Sequence, residues 1–132
     1  MSSPGIEVAF SPEVPPSAAT ARATSILHEV ATLLDRQLAT GEPGSIDIGR
    51  VPLSSADQRL LEEVLQFGEV DAEIGDETAR VRESAVPGVW WLDFFGAGSR
   101  TVARFIEVTE IPEILRPGVH DRQKGLLRLN RK

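Results

Sequence analysis

The sequence predicts an α+β fold: an antiparallel sheet of four to five strands in a meander, with two amphipathic helices packed on one face. Two observations carry this. The first half holds two segments whose apolar residues recur at spacings of three and four, the mark of helices that bury one side. From Glu69 onward the period falls to two, and glycine-bearing turns separate the runs, the mark of hairpin-linked strands.

Taken in order, residues 1–17 read as an extended proline-rich arm, because Pro4, Pro12, Pro15 and Pro16 remove backbone donors. Ile6, Val8 and Phe10 alternate within it and mark a short edge strand. Residues 18–115 form the single α+β domain. From about Ala18 to Thr40, the stripe Ile26, Val30, Leu33, Leu34 and Leu38, widened by Leu27, predicts the first helix. Gly41 stops it. Ile46 and Ile48 alternate between Gly44 and Gly49 and predict a short strand. Ser54 or Ser55 caps the second helix, with Asp57 near its positive end. Leu60, Leu61, Val64 and Leu65 form its stripe, and Phe67-Gly68 ends it.

The meander then begins. Val70, Ala72 and Ile74 point inward and Asp71 and Glu73 outward. Gly75-Asp76-Glu77 is a turn, Thr78–Val86 the returning strand, and Pro87-Gly88 its break. Val89–Phe95 is apolar on both faces: Trp90, Leu92 and Phe94 lie on one, Val89, Trp91, Asp93 and Phe95 on the other. Trp90 is assigned to the core. Trp91 and Phe95 are either covered by arm and tail or form a partly exposed patch of the kind protein partners favour. Gly96–Ser99 is a hairpin turn, and Thr101–Val108 is the last clear strand, with Val102, Arg104, Ile106 and Val108 on one face. Ile111-Pro112 ends it, and Glu113–Arg116 makes at most one helical turn.

Residues 116–132 are a basic tail. They hold six basic side chains against Asp121 alone, a charge of +5, whereas residues 1–115 carry 8 basic and 19 acidic side chains, a charge of −11. The tail reads as a solvated end, or as a clamp, through Arg122, Lys124 and Arg128, onto an acidic partner or the protein's own body. An acidic body repels nucleic acid, so no nucleic-acid partner is expected.

The chain has no cysteine, which removes disulfides, thiolate metal sites and cysteine nucleophiles. No apolar run approaches the roughly 20 residues that span a bilayer, and Met1–Ala9 has no basic region with an apolar core, so neither membrane insertion nor a secretory signal is expected. A cytoplasmic location fits best. His28 and His120 have no second ligand at a convincing spacing. No nucleophile elbow, phosphate loop or dinucleotide fingerprint is present. The expectation is therefore no catalytic residue, no metal ligand and no cofactor. An alternative is a small hydrolase or ligand-binding domain built on the carboxylate-rich hairpin around Glu69–Glu83. A third reading is a homodimeric structural module that covers its own aromatic strand.

Three blocks give the sequence a resemblance. Leu65-Gln66-Phe67-Gly68-Glu69-Val70 is similar to a Leu-Gly-x-Gly-Glu-Val block. Glu83-Ser84-Ala85-Val86-Pro87-Gly88-Val89-Trp90 is similar to Glu-Ser/Thr-x-x-x-Gly-Val-Trp. Phe105–Pro112 is similar to a closing Ile-Glu-Val-x-x-Ile-Pro. In this order, over about residues 20–115, they resemble the C-terminal conserved region of the HupH/HyaF family, the accessory proteins of NiFe-hydrogenase operons. Gln66 stands where that family often has glycine, and Trp91 where it often has a basic residue. The resemblance implies a non-enzymatic role in hydrogenase maturation, with the iron–sulfur small-subunit precursor or other maturation factors as partners. On that reading Trp91, Phe95, Glu69, Glu83, Arg122, Lys124 and Arg128 are the candidate contacts, and Gly68, Gly88, Trp90 and Pro112 are structural.

Overall fold

A computed structural model describes residues 18–75 and 78–131. The proposed edge strand in the arm lies outside the described residues, as does the centre of the turn after Gly75. Helix α1 (Ala21–Thr40) buries Ala23, Ile26, Leu27 and Val30. Gly41 ends it with φ +80°, and its amide donates to the Gln37 carbonyl at 2.7 Å, a left-handed cap that glycine adopts without a Cβ penalty. Strand β1 (Gly44–Asp47) leads through a 3-10 turn at Ile48–Arg50, and Ile46 and Ile48 are both buried.

Helix α2 (Ser55–Leu65) opens with a capping box. The Ser54 hydroxyl accepts from the Asp57 amide at 2.9 Å, and the Asp57 carboxylate accepts from the Ser54 amide at 3.0 Å. The second carboxylate oxygen accepts from the Ala23 amide at 2.9 Å, a donor in the first turn of α1 that the helix itself leaves free. One buried aspartate therefore caps two helices and fixes their mutual position. Burial pushes the Asp57 carboxyl up, but the Ser54 and Ala23 donors and nearby Arg22 outweigh it and hold the group below its ordinary value.

Strands β2 (Asp71–Ile74), β3 (Ala79–Glu83), β4 (Val89–Phe95) and β5 (Thr101–Val108) form the meander. The sheet order is β1-β5-β4-β3-β2, antiparallel throughout. The fold is α+β, with α1 and α2 on one face. Their core joins Ala23, Ile26, Leu27, Val30, Leu61 and Leu65 to Ile46, Val89, Trp91, Ile106 and Val108. The opposite face buries Val81, Trp90 and Leu92, with Ile74, Phe94, Phe105, Ile114 and Leu115 against them.

The two faces of β4 are thus the reverse of the expectation. Trp91 is only 1% exposed and belongs to the helix-side core. The register explains it: Trp91, Ile106 and Ile46 form one cross-strand row, and Ile46 lies beneath α1. Trp90 is also buried, on the far face, where the 3-10 turn Glu113–Leu115 packs. Ala72 and Ile74 follow Val81 to that far face. Two further expectations need correction. Leu38 is 76% exposed, because it faces the groove between α1 and α2 rather than the sheet. The basic tail contains a helix, α3 (Val119–Asn130), none of whose residues is buried.

Between α2 and β2 the chain turns sharply. Gln66 has φ 56° and ψ −172°, a region that L-residues avoid and glycine enters freely. A glycine at this position would remove that cost. Gln66→Gly is expected to stabilise the protein by about 1 kcal/mol, read as a higher midpoint in thermal unfolding; an unchanged or lower midpoint would show the turn to be unstrained. Asp57 has a native pKa below its unfolded value, so its contribution is full above the ordinary 3.8 and is lost as pH falls from there through the depressed native value. Asp57→Asn should lower stability at neutral pH by about 1–2 kcal/mol and flatten the acid limb of a stability-versus-pH profile.

Candidate functional site

The helices cover only part of their face of the sheet. Over the remainder, the exit of α2 lays a second, polar-aromatic layer on β3, β4 and β5. The Trp91 indole donates to the Gln66 carbonyl at 2.9 Å, which draws the following residue over the tryptophan. The Phe67 ring then lies 5.3 Å from that of Trp91, tilted by 31°. The Arg82 guanidinium carbon sits 4.1 Å above the centroid of Phe67, and that of Arg104 lies 5.4 Å from the centroid of Trp91. Both are within cation–π range.

Asp93 joins the two arginines. Its carboxylate accepts from Arg104 Nε at 2.8 Å and from an Arg82 terminal nitrogen at 3.3 Å. Asp93 is 5% exposed, and a charge so placed needs such partners. Two guanidiniums against one carboxylate leave a positive surplus. Among the described residues, Arg82 Nε is buried without a hydrogen-bond partner. Beside this triad, Arg80 grips Asp71 through both carboxylate oxygens at 2.9 and 2.6 Å, and the hydrogen bond from Arg80 holds the Asp71 carboxyl below its ordinary value. Phe67 remains 42% exposed, next to exposed Val70. The arrangement offers a fixed apolar ring framed by cations, suited to gripping an acidic or aromatic segment.

The residues singled out from the sequence do not gather at one place. Trp91 supports this surface from beneath and is not itself exposed, which corrects the exposed-patch expectation. Phe95 is half-buried at the end of β4. Glu69 is exposed and Glu83 half-buried at the end of β3, and neither lines any of the clefts described below. Arg122, Lys124 and Arg128 are exposed on α3. Gly68 sits where a Cβ would stand 2.9 Å from the Ser84 carbonyl oxygen, so the close approach requires glycine. Gly88 has φ +89°. The Trp90 indole donates to the Thr109 carbonyl at 3.0 Å, and Pro112 is fully buried. The three sequence blocks are stitched together here: Gly68 and Ala85 amides donate to Glu83 and Leu65 carbonyls, and Thr109 donates to Gly88. Phe67, Arg82, Asp93 and Arg104 escaped the sequence reading. The available signal was Asp93 itself, a lone acid in an apolar strand that has to meet cations across the sheet.

A cleft of about 660 Å³ at the β1–β5 edge is lined by Glu107, Glu110, Glu113 and Arg116, among others. Burial pushes the Glu107 carboxyl up. Other clefts lie beside α2, beside Arg104, and between α1 and α2. Among the described residues, no group of three His, Asp or Glu side chains converges to hold a metal ion. No described helix is long and apolar enough to cross a membrane.

Fold and site define an α+β module with a rigid arginine–aromatic surface laid over its sheet. The chain belongs to the family described as HupH hydrogenase expression protein, C-terminal conserved region, whose model matches residues 20–132. It is 33% identical over 81 residues to the hydrogenase expression/formation protein HoxQ of Azotobacter vinelandii, covering 61% of this chain and 28% of that one. It is 30% identical over 97 residues to HoxQ of Cupriavidus necator, covering 70% of this chain and 33% of that one. The chain thus spans no more than about a third of the length of these relatives. The solved structure of the hydrogenase expression protein HupH from Thiobacillus denitrificans is similar, with a TM-score of 0.74 at 32% identity, covering 85% of this chain and 98% of that one.

Asp93→Ala would leave two largely buried guanidiniums facing each other. It is expected to cost about 2–3 kcal/mol, measured by denaturant unfolding; a loss under about 0.5 kcal/mol, the range of an ordinary surface change, would show that Asp93 does not organise the cluster.

Proposed function

We propose that this chain is a non-catalytic accessory factor in NiFe-hydrogenase maturation, acting in the cytoplasm. It holds a hydrogenase component, first of all the iron–sulfur small-subunit precursor, through the surface built on Phe67, Arg82 and Arg104. The observation that carries this reading is Phe67: an aromatic ring clamped between Trp91 and Arg82, yet 42% exposed. Side chains held rigid before contact lose little entropy on binding, and aromatic and arginine residues dominate the energetics of protein interfaces. The positive surplus around Asp93 selects an acidic segment on the partner. Family membership supplies the setting, since the relatives are named for hydrogenase expression and formation.

Trp91→Ala is a poor probe, because truncating a buried tryptophan costs about 3–5 kcal/mol and would confound binding with unfolding. Phe67→Ala is the better one. It is expected to weaken capture of the small-subunit precursor about tenfold or more while the thermal transition stays cooperative. Retained capture by Phe67→Ala would move the contact elsewhere. Failure of the wild-type protein to retain any hydrogenase component would remove the role.

A further inference from the structure

Helix α3 exposes Val119, Leu126, Leu127 and Leu129 at 60–72%. Val119 and Leu126 lie one above the other two turns apart, and Leu127 and Leu129 flank them, so the four share one broad face with Arg122 and Gln123. A helix of 12 residues with Gly125 inside it is marginal in water on its own, so this helix needs a surface to lie on. Among the described residues, the same chain also presents an open apolar surface of similar length. Between α1 and α2 runs an apolar groove of about 290 Å³, lined by Leu27, Val30, Leu34, Leu38, Val64 and Val86, among others. Leu38 stands open at its edge.

We infer that α3 of one chain seats in the α1–α2 groove of a second copy, and that reciprocal seating closes a two-fold dimer. Length favours the fit. At the α-helical rise, α3 is about 18 Å long and the groove from Leu27 to Leu38 about 16 Å. Charge favours a second copy as the occupant. The α3 segment, residues 116–132, carries +5 and residues 1–115 carry −11, so each body attracts the other's helix. Arg122 lies on the same face of α3, between Leu126 and Leu129, and Asp35 lines the groove. The connection favours exchange between chains over folding back. Arg116 and Gly118 are both extended, with ψ of 132° and 159°, and no residue of α3 is buried against its own body. Donation of one element in this way is a low-cost route to a closed dimer. This inference stands apart from the hydrogenase role, and its test reads oligomeric state alone.

Sedimentation velocity over a wide concentration range should show a reversible monomer–dimer equilibrium for the full chain. Leu126→Asp and Leu38→Asp, both at exposed positions, should each shift the protein to monomer, losing at most the helical signal of α3 while the core still unfolds in one cooperative transition. An equimolar mixture of the two variants keeps one intact helix and one intact groove. It should regain dimer at weaker affinity. A wild-type monomer at every concentration would overturn the inference, including one whose groove is covered by its own α3 or by residues 1–17. A dimer indifferent to both substitutions, or a mixture that stays monomeric, would do the same.

Discussion

The burial of Trp91 beneath α1 and α2 governs most of what surrounds it. A tryptophan taken out of water must still satisfy its indole N–H, and here the acceptor is the Gln66 carbonyl. With the Ala85–Leu65 and Gly68–Glu83 backbone bonds, this bond fixes the direction in which the chain leaves α2. Phe67 is laid over the indole as a consequence, and Gly68 is brought so close to Ser84 that no side chain fits. The three sequence blocks that carry the resemblance are bonded to one another around this point, which gives their co-occurrence a packing reason before any functional one.

The second constraint is electrostatic. The helices are too short to cover their whole face of the sheet, and the uncovered part holds charge in place of hydrocarbon. Asp93 lies one residue pair beyond Trp91 on the same face. Its burial is tolerable only because Arg82 and Arg104 reach it from both neighbouring strands. Each arginine also stacks on an aromatic ring, as a planar guanidinium does more readily than an ammonium. The result is a polar surface with little rotameric freedom, a property that suits recognition.

The fold was largely legible. Periodicity located both core helices, and the glycine-bearing turns located the meander, because each signal is local. Ser54 and Asp57 were visible as a cap, though the reach of Asp57 to Ala23 in α1 was not, since it spans 34 residues. The two faces of β4 were not legible, because apolar residues on both sides remove the alternation that normally tells inside from outside. Only pairing with Ile106, and through it with Ile46, decides the matter. The candidate surface was missed for the same reason: its members come from four separate segments that meet through register. The helix in the basic tail was not legible because Gly125 sits inside it and Arg122 and Gln123 share a face with its leucines, which blurs the 3.6-residue period.

The apolar groove and the arginine–aromatic surface share one hinge. Leu65 lines the groove, Phe67 begins the stack, and Gln66 between them holds a backbone conformation costly for any residue but glycine. Such strain persists only where neighbours over-determine it. Here the Gln66 amide is tied to Glu62, its carbonyl to Trp91, and the flanking Leu65 and Gly68 to the 83–85 segment. A contact that braces the end of α2 from the groove side therefore also steadies Phe67, two residues on. The two surfaces meet at a joint whose Gln66 amide and carbonyl, Leu65 carbonyl and Gly68 amide are all bonded.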